Sequence, residues 1–271
     1  VDPRLEAILS AVRARRGRVV ALTGAGISAE SGIPTFRSGE GYWVVGSRNY
    51  MPQEMATHAM FAEEPEEVWR WYLHRFGVVR SAEPNAGHLA LVELERALGE
   101  HFTLVTQNID GLHRRAGSRR LLAIHGEAEW VRCAAECGAG LSPLPDLGTR
   151  PLEAPLTAAE RKALTCPRCG GWLRPHVLWF DECYDEPYYR MESALRAAAE
   201  ADLLLVVGTS GATNLPMQIG RLAFSGGAAL VDVNPDDNPF AALAARAHAG
   251  FAARGTATAL LPGIVRALVG G

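Results

Sequence analysis

Residues 19–37, VVALTGAGISAESGIPTFR, constrain this chain more than any other stretch. They open with an apolar run, Val19 to Leu22, which reads as a strand buried on both faces of a parallel sheet. Gly24 and Gly26 follow at once, and Ala29 completes a G-x-G-x-x-A pattern between the strand and a helix expected to start at Ser28. Glycines there permit a tight turn and a close backbone approach to a diphosphate, with helix N-terminal amides facing the anion. The turn alone fits either such a cradle or a plain strand-to-helix connection. A dehydrogenase of this type would place an acidic residue about 20 positions on, at the end of a second strand. Glu40 instead lies in a glycine-rich loop, which argues against ordinary hydride transfer.

The chain has 271 residues, 48% of them hydrophobic, enough for one large domain or a large and a small one. A formal charge of −3 supplies no general basic field for nucleic acid, and no direct nucleic-acid binding is expected. No apolar run approaches the roughly 18 residues that would suggest a membrane span. VDPRLEAILSAVRARRGR reads as an amphipathic helix with a solvated basic face, not as a signal peptide. Five cysteines without a secretory signal suggest a reducing compartment, so a cytoplasmic location is expected.

Taken in order, residues 4–16 form a helix, and residues after Arg37 form an irregular aromatic loop beside the glycine turn. Residues 53–80 read as helical. There Tyr72 and Arg75, three apart on one face, offer a phenol and a planar guanidinium to a carboxylate, or else are a core ring and a surface charge. A helix over 85–99 leads to a strand over 102–105 that delivers Gln107, Asn108 and Asp110 to the carboxyl edge of the sheet. Those residues are placed for cofactor contact, although Asp110 could be only a helix cap. Another short apolar run, 121–124, ends in His125-Gly126, and a histidine so placed suits proton abstraction near neutral pH. Helices over 186–200 and 256–269 and strands over 203–207 and 228–233 complete the pattern, the two strands ending in Gly208-Thr209-Ser210 and Asn234-Pro235.

Cys133 and Cys137 are spaced C-x3-C, and Cys166 and Cys169 are spaced C-x2-C. Two close pairs with 28 residues between them read as a closed, four-thiolate structural zinc site, with a redox switch as the competing reading. Cys183 stands outside the set. Alternating strands and helices imply an α/β doubly wound, Rossmann-like parallel sheet. The expected division assigns 1–37, 81–130 and 174–271 to that domain, 38–80 to a cofactor loop and helical module, and 131–173 to the zinc module.

GAGISAESGIPTFR resembles the NAD-binding signature of the sirtuins, NAD-dependent protein lysine deacylases. The likeness continues, in family order, through TQNIDGLH, IHG, both cysteine pairs, PHVLWF, GTS and VNP. It implies that Gly24, Ala25, Gly26, Ser28, Thr35, Phe36 and Arg37 contact NAD, and that the following loop orders with it. Gln107, Asn108, Ile109 and Asp110 would form the nicotinamide and ribose pocket, while Gly208, Thr209, Ser210 and Asn234 would hold the diphosphate and adenosine ribose. His125 would be the catalytic base, accepting a ribose proton as acyl-lysine displaces nicotinamide and the acyl group passes to ADP-ribose. An acyl-lysine peptide would add a strand beside PHVLWF, with Val177 and Phe180 flanking the acyl tunnel. ATHAMFAEEPEEVWRWYLHR resembles the branch that removes succinyl, malonyl and glutaryl groups. There Tyr72 and Arg75 would bind the acyl carboxylate, and Ala56 would widen the pocket. Three departures stand out: the wider first cysteine pair, Asp181 in place of a usual glycine, and GATNLPM, whose Pro216 comes one residue late. A deacetylase or long-chain deacylase with the same mechanism, an NAD hydrolase or ADP-ribosyltransferase, and a non-catalytic NAD sensor are the alternative functions. Oligomeric state is not legible.

Overall fold

Strand Val19–Thr23 sits near the middle of a six-stranded parallel sheet, and all five of its residues are buried. The computed structural model describes residues 1–34, 43–45, 48–148 and 154–270. One side of this strand pairs with Phe102–Thr106, which pairs with Leu121–Ala123. The other side pairs with Leu203–Val207, followed outward by Ala229–Asn234 and Gly250–Arg254. Numbered along the chain, the six strands run 3-2-1-4-5-6 across the sheet, the order of doubly wound dinucleotide-binding folds. The order reverses between Val19–Thr23 and Leu203–Val207, so a crevice opens beyond the carboxyl ends of these two strands.

Strand periodicity builds both faces. Val19 and Ala21 join Leu104, Leu205 and Val231 in an apolar layer covered by helices Pro3–Ala14, Ala86–Leu98 and Ala257–Val269. Val20 and Leu22 join Val105, Leu204 and Val206 on the opposite face, covered by Met191–Ala199, Asn214–Ser225 and Pro239–Arg246. Short polar residues start the helices. Asn85, for example, accepts from the Gly87 and His88 amides and donates to the Ile27 carbonyl at 2.8 Å. One cap therefore also ties the glycine turn to its neighbour.

A second core lies to the side. Three helices, Pro52–Met55, His58–Glu63 and Pro65–Ser81, share it with an antiparallel sheet of Leu141–Pro143, Gly126–Cys133 and Leu173–Val177. Trp69 is fully buried there, and its indole N–H donates to the Leu173 carbonyl at 2.8 Å.

Several local expectations change. The helix after the glycine turn starts at Ala25, not Ser28, and is one short turn, because Gly24 itself takes the extended N-cap conformation. Residues 53–80 are three helices, broken where Glu64 precedes Pro65 and cannot stay helical. The stretch after Arg37 is not wholly irregular, for Trp43–Val45 and Arg48–Tyr50 pair as an antiparallel hairpin. The helix expected over 186–200 breaks at Arg190, whose φ is +54°. Among the described residues no helix is long and apolar enough to cross a membrane.

His88 and His113 are buried beneath the sheet's carboxyl edge with ring centroids 4.8 Å apart. Burial pushes His88 down to about 4, aided by the charge of Arg115. Burial, with a smaller contribution from His88, pushes His113 to about 3. Between these values and about 6.5 the unfolded chain binds more protons than the folded one, so stability rises with pH there. The urea midpoint is therefore expected to fall as pH is lowered from about 6.5 towards 4. His113→Asn is expected to flatten that dependence, and an unaltered slope would count against the assignment.

Candidate active site

Two backbone loops meet at the crevice with no room for side chains. Gly26 donates its N–H to the Gly208 carbonyl at 2.8 Å, and Gly24 donates to the Val207 carbonyl at 3.0 Å. A Cβ on Gly26 would sit 2.7 Å from the Gly208 Cα, and one on Gly208, at φ +60°, would sit 2.5 Å from the Ile27 nitrogen. The glycine pattern thus serves loop-against-loop packing as well as approach to an anion.

Polar side chains surround that contact. Asn108 donates to the Gly24 carbonyl at 3.0 Å and the Ser28 hydroxyl at 3.1 Å. Ser28 donates in turn to Asp110 at 2.7 Å, and the second oxygen of Asp110 accepts from the Leu112 amide at 2.9 Å. Burial raises the Asp110 carboxyl, while these two donors pull it back. Gln107 donates to Thr209 at 2.8 Å and accepts from Thr213 at 2.9 Å. Asn234 donates to the Thr209 carbonyl at 2.9 Å. Ser210 follows Thr209 in the same loop and is half-buried, as is Ile109, whose carbonyl accepts from the Ala128 amide at 2.9 Å. Ala25 starts the short helix. Thr35, Phe36 and Arg37 lie outside the described residues.

His125 stands at the same edge. Its Nδ1 is 3.0 Å from the Gln107 carbonyl, which can only accept, so Nδ1 carries the proton and Nε2 keeps its lone pair. Burial pushes the ring down to about 4, with the Gln107 carbonyl opposing it, so it is neutral at pH 7. Gly126 must follow, because at φ +79° a Cβ there would lie 2.1 Å from the His176 carbonyl oxygen.

The strand ending at Val177 turns into residues 178–185, a loop fixed by buried charge. Arg174 forks onto Glu182, donates to the Val177 carbonyl at 2.9 Å, and stacks 3.4 Å over the Trp179 ring. Burial raises the Glu182 carboxyl, but Arg174 outweighs it and holds Glu182 below the usual range. Removing one partner of such a pair costs about 3–5 kcal/mol. Val177 is buried, and Phe180 is 56% exposed with its amide donating to the Ala56 carbonyl at 3.0 Å, so the loop and Ala56 are brought together. Tyr72 is buried nearby and accepts from the Trp179 indole at 2.9 Å. Arg75, one turn further on, is half-buried with its guanidinium carbon 5.1 Å from the Trp71 ring centroid. Arg174, Glu182 and Tyr184 were not singled out from sequence, and no spacing signal marked them.

Residues 24–214 match the Sir2 family model, most of the chain.

The chain belongs to the Sir2 family.

It is 47% identical over 248 residues to an NAD-dependent protein deacylase of Thermus thermophilus, covering 90% of each chain. It is 41% identical over 223 residues to that of Leptospira interrogans serovar copenhageni, covering 82% of this chain and 83% of the relative. A solved Sir2 homologue–NAD complex matches this sirtuin with TM-score 0.79 and 34% identity, over 99% of this chain and 94% of that one. A Sir2–p53 peptide–NAD+ complex matches with TM-score 0.75 and 26% identity, over 96% and 95%.

The sirtuin's departures from the family pattern have local explanations. The extra residue between Cys133 and Cys137 is absorbed where Glu136 takes a left-handed turn, φ +49°. Asp181 needs no left-handed conformation and instead accepts from the His58 and Ala59 amides at 2.7 and 3.1 Å, tying the loop to helix His58–Glu63. Pro216 falls in the first turn of Asn214–Ser225, where its missing N–H costs nothing.

The four thiols of Cys133, Cys137, Cys166 and Cys169 all lie within 4.8 Å of one another. Cys133 and Cys169 sulfurs are 3.5 Å apart, and Cys137 and Cys166 sulfurs 3.6 Å. Tetrahedral zinc–sulfur bonds of about 2.3 Å require separations of about 3.8 Å, so the set fits zinc with no open position. Cys166→Ser is expected to lower bound zinc well below one per chain and to lower the melting temperature. Metal analysis and thermal unfolding check both.

Proposed function

We propose that this sirtuin removes acyl groups from protein lysine side chains and favours acyl groups that end in a carboxylate. The enzyme is an NAD-dependent protein deacylase of the sirtuin family, and its Sir2 match and its 47% identical relative carry that class. NAD brings a ribose whose nicotinamide can leave and whose hydroxyls can be deprotonated. The observation that carries the mechanism is the orientation of His125: Nδ1–H is committed to the Gln107 carbonyl, so Nε2 is the proton acceptor. Gly24, Gly26 and the loop at Gly208 would hold the diphosphate, and Asn108, Asp110 and Ser28 would position the nicotinamide ribose. Residues 178–180 and the Ala56 segment would bracket an extended acyl-lysine peptide.

His125→Ala is expected to lower acyl release by about 10²–10⁴-fold with the melting temperature retained. The acid limb of the kcat/KM profile is expected below pH 6.5, because the ring stays neutral down to about pH 4. Full activity of His125→Ala would reject the assignment.

Acyl preference rests on Tyr72 and Arg75. The Tyr72 oxygen accepts from Trp179 and keeps its own proton to donate, and Arg75 lies on the same helix one turn on. Desolvation lowers Arg75 and the nearby Tyr72 raises it, and a planar guanidinium can fork onto a carboxylate. One observation favours a neutral acyl group instead: Tyr72 is only 2% exposed and packs as a core ring. Matched succinyl- and acetyl-lysine peptides separate the two readings. Arg75→Met is expected to lower succinyl release at least about tenfold and leave acetyl release unchanged. Equal loss for both peptides would favour the neutral reading.

A further inference from the structure

The lone pair that makes His125 a base does not face open solvent. Tyr184 places its hydroxyl 2.8 Å from His125 Nε2. Since Nδ1 donates to the Gln107 carbonyl, Nε2 accepts, and the Tyr184 phenol must be the donor. Its oxygen makes no other hydrogen bond among the described residues, so its own lone pairs are left to accept. The backbone on either side is held. Glu182 is clamped by Arg174 and the Trp179 amide, and Asp185 caps the next helix through the Tyr188 and Tyr189 amides. The Tyr184 ring packs against the apolar layer containing Ile124 and Ala194. Tyr184 is therefore held against Nε2, the ring atom that would accept a proton.

We propose that Tyr184 is a second catalytic residue, relaying the substrate hydroxyl proton to His125. The proposal rests on the reading of His125 as the base. The substrate O–H bond breaks as a new O–H bond forms on Tyr184. At the same time the original Tyr184 O–H bond breaks and an Nε2–H bond forms. Tyr184 ends unchanged, His125 ends as imidazolium, and the substrate oxygen keeps the electron pair with which it attacks the acyl carbon. A phenol suits this position because its ordinary pKa of about 10 lies between those of imidazole and an alcohol. Concerted transfer also avoids a free tyrosinate, which burial disfavours by raising the Tyr184 phenol to about 12.

The test compares the zinc-loaded wild type, Tyr184→Phe and His125→Ala, using NAD and an acyl-lysine peptide in mixtures of light and heavy water. Tyr184→Phe is expected to melt normally, to keep its KM for NAD and peptide, and to lose about 10–100-fold in kcat. The dependence of kcat on deuterium fraction is expected to change from curved, with two protons moving, to linear, with one. A lower KM or higher kcat would mean that Tyr184 merely blocks the base, and would overturn the relay. An unchanged kcat and isotope curve would overturn it too. An inactive His125→Ala beside a fully active Tyr184→Phe rejects the relay alone, whereas an active His125→Ala rejects the base reading as well. If Tyr184→Phe does not fold, 3-fluorotyrosine at position 184 keeps the shape and acidifies the phenol. The relay then requires a changed kcat, and an unchanged one overturns it.

Discussion

Two loops that touch through bare backbone set the geometry of this sirtuin. The Gly26 amide reaches the Gly208 carbonyl, and the surrounding atoms leave no space for a Cβ at either position. The contact is possible because strands Val19–Thr23 and Leu203–Val207 are neighbours whose crossovers depart in opposite directions. Everything polar in the crevice is then arranged around it. Asn108 reaches the Gly24 carbonyl, Gln107 reaches Thr209, and Asn234 closes the far side. Side-chain hydrogen bonds of this kind contribute about 1 kcal/mol each, so they orient the site more than they stabilise the fold.

The second constraint is the buried charge beneath residues 178–185. Arg174 and Glu182 satisfy one another, and Arg132 approaches Glu182 to 3.6 Å and the Tyr189 hydroxyl to 3.3 Å. Three charged groups in one apolar setting persist only with such mutual pairing. The loop between Trp179 and Asp185 therefore has little freedom, and it carries both Phe180, tied to Ala56, and Tyr184, which meets His125.

Five strands of the sheet were readable because they are apolar runs ended by glycine or polar residues, whereas the edge strand Gly250–Arg254, only partly buried and ending in arginine, was not read from the sequence. Leu203–Val207 and Val19–Thr23 show the apolar pattern most plainly. The cysteine set and His125-Gly126 stood out for a different reason, that few residue types can bind zinc or take a proton near neutral pH. Local breaks were less legible. Arg190 and Glu136 adopt left-handed conformations that nothing in their own side chains demands. The Arg174–Glu182 pair and the Tyr184–His125 contact join residues 8 and 59 positions apart, and no periodicity announces a meeting made by tertiary packing. Asp181 shows the converse: its departure from glycine was visible, but its role as a cap for another helix required the fold.

Strand Gly126–Cys133 begins one residue after His125 and ends on a cysteine of the four-thiol set. It joins the crevice histidine at one end to the cysteine set at the other. Its outer end carries a thiol of the four-cysteine set that fits zinc, and its inner end is held by the pairing of Gly126 with Val177. An oxidant that ties Cys133 to a neighbouring sulfur would remove that thiol from the set while leaving every residue of the crevice chemically intact. Loss of coordination at the cysteine set would then reach His125 through this one strand.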